Sequence, residues 1–247
     1  MKAALIIWYR DILLFFGDKP RIVGALGQPL LYLLVMGNGL APSMSRGLGG
    51  SYLVFMFPGV IGMTVLFTSV FSAISVIWDR EFGFLKEILV SPVPRPAIAL
   101  GKILGGASVA FLQGCAILLL APLVGVSIPL TSLPSILGMM GLGACALTAF
   151  GLVVASRMES MQGFQLIMNF LLLPMFFLSG ALYPLSNVPP WMRNLALVDP
   201  LTYAVDGLRA AMGSPHAMHP FWLDAGILFF VMLTFMGLAV AAFSLHE

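Results

Sequence analysis

The sequence predicts an all-α integral membrane protein with six transmembrane helices, and three observations lead to that fold class. Of its 247 residues, 60% are hydrophobic and only 9% are charged, whereas about a quarter of the residues of a soluble domain are charged. The mean hydropathy is +1.03. The apolar residues also form long runs separated by short polar links, and about 20 apolar residues can cross a bilayer as a helix.

The N-terminal segment is amphipathic rather than continuously apolar. Its apolar side chains recur at helical spacing, while Arg10 and Asp11 fall on the opposite side. This pattern predicts an interfacial helix lying along the membrane within residues 1–20. The two charges also interrupt the apolar run of a cleaved signal peptide, so the segment is expected to remain in the mature chain.

Six apolar runs follow and are predicted to span the membrane. They lie near residues 21–40, 52–77, 97–124, 133–155, 164–182 and 221–245. The first contains Gln28-Pro29 and should be kinked, because a proline frees backbone groups that a neighbouring helix must satisfy. A loop rich in glycine, serine and proline, residues 41–51, is expected to join it to the second.

A stripe of small residues marks the third span. Gly106, Ala110 and Gly114 recur every four residues along it. Such a stripe lets two helix backbones approach closely in lipid. Packing within the chain is the favoured interpretation, and a subunit interface is the alternative.

The spans hold few polar side chains at depth. The uncharged ones are Thr68, Ser69, Gln113 and Asn169. Hydrogen bonding between helices is favoured for them over substrate contact. Pro174 should kink the fifth span or end a half-helix, and it joins Thr68, Ser69 and Asn169 as a candidate pathway residue. The ionisable Lys102 and Asp224 lie near span ends, where Lys102 is expected to snorkel.

A charged island, Trp78–Lys102, interrupts the apolar sequence after the second span. Wound as a helix, it places apolar side chains on one side and charged ones on the other, with Glu81 on the apolar arc. Ser91-Pro92 ends the helix because proline lacks an amide donor. A helix of this kind either floats in the headgroup layer or docks on a partner protein.

The segment 183–220 is too polar to span and too apolar for an aqueous loop. Short half-helices dipping into the outer leaflet are expected, with Trp191 and Tyr203 at headgroup level. The candidate functional residues of this outer re-entrant segment are Pro190, Trp191, Asp199, Tyr203, Asp206 and Arg209. His216 and His219 also lie here, and a polar turn is favoured for them over a metal site.

The distribution of basic residues predicts the topology. An even number of spans puts both termini on one side, and that side carries nine basic residues against three on the other. Under the positive-inside rule, both termini and the charged island are therefore cytoplasmic.

Signatures of enzyme chemistry are missing from the sequence. It contains no HExxH or GxSxG, so no catalytic residue and no metal ligand is predicted. The nearest approach to a phosphate-binding loop, Pro96–Ile103, lacks the first glycine and the final Ser or Thr. A net charge of +2 gives no indication of nucleic-acid binding. Cys115 and Cys145 lie in apolar spans and are expected to be free thiols.

Three sequence blocks carry a resemblance to a known family. They are WYRDILLFFGDKPRI before a Gln-Pro span, DREFGFLKEILVSPVPR, and FLSGALYPLSNVPPWMRNLALVDPLTYAVDGLRAAM. Together they resemble the membrane-spanning permease subunit of type 2 ATP-binding-cassette exporters, in the branch of daunorubicin-resistance and nodulation-factor export permeases. The resemblance runs over nearly the whole chain, residues 1–247, as a single transmembrane domain. Asp199 stands where Asn is more usual in the family.

The resemblance implies a coupling loop, residues 78–96, whose helix docks on a separate ATPase. Its contacts would be Asp79, Arg80, Glu81, Phe82, Leu85, Lys86, Glu87, Leu89 and Ser91. It further implies two copies of an ATP-binding subunit that carry the ATP and magnesium, a homodimer of this chain, and a pathway between the copies lined by the second and fifth spans.

The family also implies an inner-membrane location and export by alternating access, with no enzyme activity and no cofactor on this chain. Few fixed charges in the spans suit an amphiphilic substrate such as a drug, lipid or lipid-linked glycan. The alternative function is a passive channel or lipid scramblase without ATP coupling.

Overall fold

The fold is a bundle of helices, seen here in a computed structural model that describes residues 2–17, 19–48, 50–81 and 94–245. These residues form helices and no β-strand, as the composition predicts. The helices are α1 (Lys2–Gly17), α2 (Lys19–Leu31), α3 (Gly37–Leu48), α4 (Tyr52–Ser72), α5 (Ile74–Glu81), α6 (Arg95–Leu118), α7 (Leu133–Ser156), α8 (Met161–Leu178), α9 (Pro190–Ala196), α10 (Pro200–Ala211) and α11 (Phe221–Leu245).

Five helical segments of the described residues are long and apolar enough to cross a membrane. They are Tyr52–Glu81, which joins α4 to α5, then Arg95–Leu118, Leu130–Ser156, Met161–Leu178 and Phe221–Phe243. Each corresponds to one of the apolar runs predicted after residue 50, with ends shifted by a few residues. The chain is thus an all-helical, multi-pass membrane protein.

The first predicted run, residues 21–40, is helical but is not one of these five segments. Pro29 lies inside α2, and a π-helical turn, Tyr32–Met36, separates α2 from α3. The run therefore departs from regular α-helix close to the proline, where a kink was predicted. The expected loop at 41–51 is wrong over most of its length, because α3 continues to Leu48 and accommodates Pro42 within it.

Helix α4 lies at the centre of the bundle. Its residues Phe57, Ile61 and Leu66 are fully buried, and α6, α7 and α10 pack around it. The small-residue stripe makes this packing possible: a methyl group added at Gly106 would lie 2.8 Å from Thr148 of α7. The stripe therefore serves packing within the chain, which confirms the favoured interpretation.

A second close approach joins α4 to the chain that follows α8, and it provides a test of the packing. A Cβ at Gly59 would lie 2.8 Å from the Cα of Ala181 and closer still to its carbonyl oxygen. Because the obstacle is backbone, Gly59→Ala is expected to destabilise the protein by about 1–3 kcal/mol. Thermal unfolding in detergent measures the loss.

Gly138→Ala is the matched control for this substitution, since a Cβ at Gly138 meets nothing within 4 Å and both glycines lie inside helices. That variant should be as stable as the parent or slightly more so, because alanine favours helix. Equal melting temperatures for the two variants would contradict the close packing of α4 on Ala181.

The bundle has two ends that differ in chemistry. Phe55, near the start of α4, lies against His216 and Arg209, whereas Asp79, near the end of α5, contacts Lys102. The segment Tyr52–Glu81 is 30 residues long, which as a helix is roughly 45 Å. We refer to the two ends as the Asp206 end and the Asp79 end.

Helix α1 packs along α6 at the Asp79 end. Gly101 and Gly105 allow α1 to pack closely on α6, since Cβ atoms there would lie 2.9 Å from Ala4 and Asp11 respectively. The indole N–H of Trp8 donates to Ser108 Oγ at 2.9 Å. Large apolar side chains point outward, among them Leu5, Ile6, Tyr9, Leu13, Leu14 and Phe16. The exposed side of α1 is therefore apolar, while Arg10 and Asp11 face the bundle together with the buried Ile7 and Phe15. The position of α1 along the membrane stays a prediction.

Candidate functional site

Four charged side chains from three helices meet at the Asp79 end and form what we call the Asp79 cluster: Arg10, Asp11, Asp79 and Lys102. Lys102 Nζ lies 2.7 Å from Asp79 Oδ2 and 3.5 Å from Asp11 Oδ2. Arg10 donates to Asp79 at 3.1 Å and to Asp11 at 3.0 Å. Two cations thus balance two carboxylates, which joins α1, α5 and α6.

The expectation that Lys102 snorkels to the membrane surface is wrong. Its side chain is only 3% exposed, and its ammonium also donates to Ser75 Oγ at 3.2 Å. Burial acts to lower the pKa of Arg10, but the charges of Asp79 and Asp11 raise it above its ordinary value. The two carboxylates therefore stabilise the charged form of Arg10.

Arg80 ties the end of α5 to the connection between α7 and α8. Its guanidinium donates to the Ser156 carbonyl at 3.1 Å and to the Met158 carbonyl at 2.9 Å. Ser156 is the last residue of α7, where helix carbonyls lack intrahelical partners, and Met158 follows in the α7–α8 connection. Glu81 is exposed at the end of α5. The remaining candidate coupling residues lie outside the described residues: Phe82, Leu85, Lys86, Glu87, Leu89 and Ser91.

Most of the uncharged polar groups predicted to join helices do so. Thr68 of α4 donates to Gln113 of α6, and Ser69 of α4 donates to the Ala144 carbonyl of α7 at 3.3 Å. Thr68 and Gln113 also line a cavity of about 200 Å³ between α2, α4 and α6. Asn169 is instead on the exposed side of α8.

A larger cavity of about 500 Å³ lies between α8, α10 and α11. Its walls are almost entirely apolar, with Pro174, Phe230 and Phe235 among them, and Asp199 provides a carboxylate. Of the four candidate pathway residues, the structure places Thr68 and Pro174 at two different cavities, buries Ser69 and leaves Asn169 exposed.

The segment 183–220 contains two short helices, α9 and α10, as its sequence predicts. Pro190 begins α9, and Trp191 is 62% exposed. Tyr203 differs from its expected headgroup position: it is 8% exposed, and its hydroxyl donates to the Leu197 carbonyl at 2.6 Å. Helix α10 is therefore packed into the bundle rather than laid on its surface.

Arg209 of α10 is one of the most buried cations among the described residues. Its guanidinium donates to the Gly180 carbonyl at 2.6 Å and lies 4.1 Å from the centre of the Phe55 ring. Burial lowers the pKa of Arg209 to about 10, against the opposing effect of Asp206. It remains charged at neutral pH and holds α10 against α4 and the end of α8.

Asp206, His219 and Asp224 meet beside Arg209, and we call them the Asp206 cluster. His219 Nδ1 lies 3.3 Å from Asp206 Oδ2 and 3.3 Å from Asp224 Oδ1. The two carboxylates are 1% and 0% exposed. The two histidines do not act together, because His216 packs edge-on against Phe55. Sequence reasoning missed this cluster, although a carboxylate within an apolar run at Asp224 was a signal for it.

Asp199 is a buried carboxylate with a pH-dependent energetic cost. Its side chain accepts a hydrogen bond from Leu201 N–H at 2.9 Å, which caps α10. Burial raises the pKa of Asp199 from 3.8 to about 7, although the bond to Leu201 opposes the rise. The folded state therefore holds a proton that the unfolded chain releases between these two values.

The stability of the protein should accordingly fall as the pH rises from about 4 to about 7, and then level off. Over that range the Asp199 contribution is on the order of a few kcal/mol. Asp199→Asn keeps the cap, since Asn is an equally good N-cap, and should remove this part of the pH dependence. Melting temperatures of the two proteins at pH 5 and pH 8 test it; an unchanged pH dependence in the variant would contradict the burial of Asp199.

Comparisons with known proteins agree with this architecture. The family model described as ABC-2 type transporter matches residues 2–213. The chain is 30% identical over 212 residues to the transport permease ycf38 of Cyanophora paradoxa, which covers 84% of this chain and 71% of that protein. It is 28% identical to nodulation protein J of Rhizobium meliloti, over 84% of this chain and 85% of the relative.

A third relative, the inner membrane transport permease YadH of Escherichia coli, is 27% identical over 72% of this chain and 70% of its own length. The family match includes the helices that form the Asp79 cluster and continues through α10. It covers more than half of the chain, and all three relatives are named as permeases or nodulation proteins. The chain therefore belongs to the ABC-2 type transporter family, as the resemblance of its sequence blocks implied.

Proposed function

We propose that this chain is the permease subunit of an ATP-driven exporter that moves an amphiphilic substrate out across the cell's inner membrane by alternating access. The observation that carries the proposal is the linkage of the α4–α5 segment at the Asp79 end. Ion pairs join this segment to α1 and α6, and Arg80 joins it to the α7–α8 connection. A displacement at Glu81 would thus be passed to four other helices.

The force that moves this end is proposed to come from a separate ATP-binding subunit. Pro96–Ile103, the nearest approach to a phosphate-binding loop, lies inside the regular helix α6 and offers no loop of free N–H groups to phosphate. The candidate coupling residues that follow Glu81 would dock in a groove of that subunit. Two such subunits, holding ATP and magnesium, would supply the free energy through their differential affinity for the two states.

The exposed side of α8 supports a second copy of this chain as partner. Leu166 is 73% exposed and Phe170 is 83% exposed, and aromatic and aliphatic side chains of this kind suit a helix interface or lipid. A homodimer would place the pathway between the two copies, with α8 lining it. The apolar cavity bounded by Pro174 and Asp199 suits an amphiphile such as a drug, lipid or lipid-linked glycan.

The proposed topology has six spans, with the run near residues 21–40 as the first, and both termini in the cytoplasm. The Asp79 end would then face the cytoplasm and the Asp206 end the outside. The relative named as an inner membrane transport permease supports the membrane assignment.

Reconstitution into lipid vesicles with the cognate ATPase tests the proposal. Transport of a fluorescent amphiphile that requires ATP, the ATPase and this chain together is the expected result. Movement of the amphiphile by this chain alone, at a rate that ATP and the ATPase leave unchanged, would overturn the proposal in favour of a passive channel or scramblase.

A further inference from the structure

The Asp206 cluster has the ligand set and spacing of a metal site. We propose that it binds a divalent transition-metal ion, with Zn²⁺ as the preferred candidate. One ligand atom from each of Asp206, His219 and Asp224 can be chosen such that all lie within 4.8 Å of one another. Two of the three residues lie beyond the stretch matched by the family model. All three proposed ligands come from this one chain.

The spacing of the ligand atoms fits a tetrahedral ion. Zinc binds nitrogen and oxygen at about 2.0–2.1 Å, which separates neighbouring tetrahedral ligands by roughly 3.4 Å. The imidazole Nδ1 of His219 lies 3.3 Å from an oxygen of Asp206 and 3.3 Å from an oxygen of Asp224. One ion between the three side chains would therefore need little rearrangement, and a water molecule would complete its coordination.

Asp224 supplies a second, independent observation that favours a ligand at this cluster. Its side chain is 0% exposed, and neither carboxylate oxygen has a hydrogen-bond partner. His219 Nδ1 likewise has none. His219 Nδ1 lies 3.3 Å from Asp224 Oδ1 without forming a hydrogen bond. A buried carboxylate that accepts no hydrogen bond is costly and calls for an explanation such as a bound ion. The nearby Arg209 directs donors to the Gly180 and Ala181 carbonyls instead.

The surrounding contacts hold the ligands in place as a metal site requires. The backbone N–H groups of Met218 and His219 donate to the Asp206 carboxylate at 2.9 to 3.0 Å. A carboxylate has about four acceptor positions, so capacity for a metal remains. The imidazole of His219 stacks on Tyr203 at 6.0 Å between ring centres.

The ligand types select the class of ion. One imidazole and two carboxylates suit zinc and its neighbours in the first transition row, whereas calcium takes six to eight oxygen ligands. Because His219 is 25% exposed, an ion can enter from the Asp206 end. A bound ion would link α10, the connection that follows it and α11.

Equilibrium dialysis of the metal-free, purified full chain against Zn²⁺ tests the proposal, with an affinity tag that contains no histidine. One Zn²⁺ per chain is expected, with a rise in melting temperature of roughly 5 °C near saturation. Asp224→Asn and His219→Ala should each weaken binding by more than about tenfold. His216→Ala, a histidine on the same connection that packs against Phe55, is the control and should bind zinc as the parent does.

Binding of Co²⁺ to the parent chain tests the site even if a variant fails to fold. Co²⁺ added to the metal-free parent should produce visible absorption bands typical of a four-coordinate site, and Zn²⁺ should displace them. Absence of saturable Zn²⁺ binding, absence of these bands, or equal binding by the parent and a folded Asp224→Asn variant would each overturn the proposal. The cluster would then be a set of side chains in contact without an ion between them.

Discussion

Replacing Lys102 with methionine is expected to lower the melting temperature of the purified chain by about 10 °C. The substitution keeps the length of the buried side chain but removes a cation that contacts Asp79 at 2.7 Å and Asp11 at 3.5 Å. Two carboxylates would remain, each at most 15% exposed, and Arg10 would be the one described cation left in contact with them. Breaking a buried ion pair in this way typically costs about 3–5 kcal/mol.

Two further variants separate this effect from a general loss of charge. Arg157→Met removes an exposed cation at the same end of the bundle and should change stability by less than about 0.5 kcal/mol. Lys102→Met combined with Asp79→Asn should regain part of the lost stability, because Arg10 and Asp11 then remain as a balanced pair. If Lys102→Met is as stable as the Arg157→Met control, the cluster does not hold α1, α5 and α6 together.

Glu81→Arg is expected to reduce ATP-driven transport by about tenfold or more, with little effect on folding or membrane insertion. Glu81 is exposed at the end of α5, so its replacement leaves no buried group without a partner. It also directly precedes the proposed coupling residues, where a reversed charge would oppose the complementary charge of an ATPase groove. Vesicle transport and copurification of the ATPase measure the two effects.

Glu159→Arg is the matched control for this variant. Glu159 is also exposed at the Asp79 end, in the α7–α8 connection beside the Met158 carbonyl that Arg80 contacts. The substitution Glu159→Arg makes the same change of charge outside the proposed coupling loop. This variant should transport normally. Normal transport by Glu81→Arg, with the ATPase still bound, would refute the coupling role of this segment.

Much of the fold could be predicted because hydropathy in a membrane protein is a local signal. The five spans after residue 50 follow from apolar runs whose length alone fits a bilayer, and the stripe of Gly106, Ala110 and Gly114 indicated helix packing. The course of α3 could not be predicted in the same way. Its glycines and Pro42 favour a loop in isolation, and helix there depends on contacts with α4.

The charged clusters were hidden because their members are distant in sequence. Arg10 and Asp79 are 69 residues apart, so each appeared as a single charge near the end of a different segment. A usable signal did exist: these opposite charges were all predicted at the same membrane face, where burial would force them to pair. The Asp206 cluster had a weaker signal, since His219 lies in a connection whose path no periodicity reveals.

The π-helical turn Tyr32–Met36 determines how α2 is rotated about the helix axis relative to α3. One extra residue in a helix advances every later side chain by about 100° around the axis. Gly37 is thereby brought against Leu53, while Tyr32 meets Phe176 of α8 edge-on. Removing a single residue from this turn would shorten the segment by only about 1.5 Å, yet it would swing α2 through more than a quarter of a revolution relative to α3.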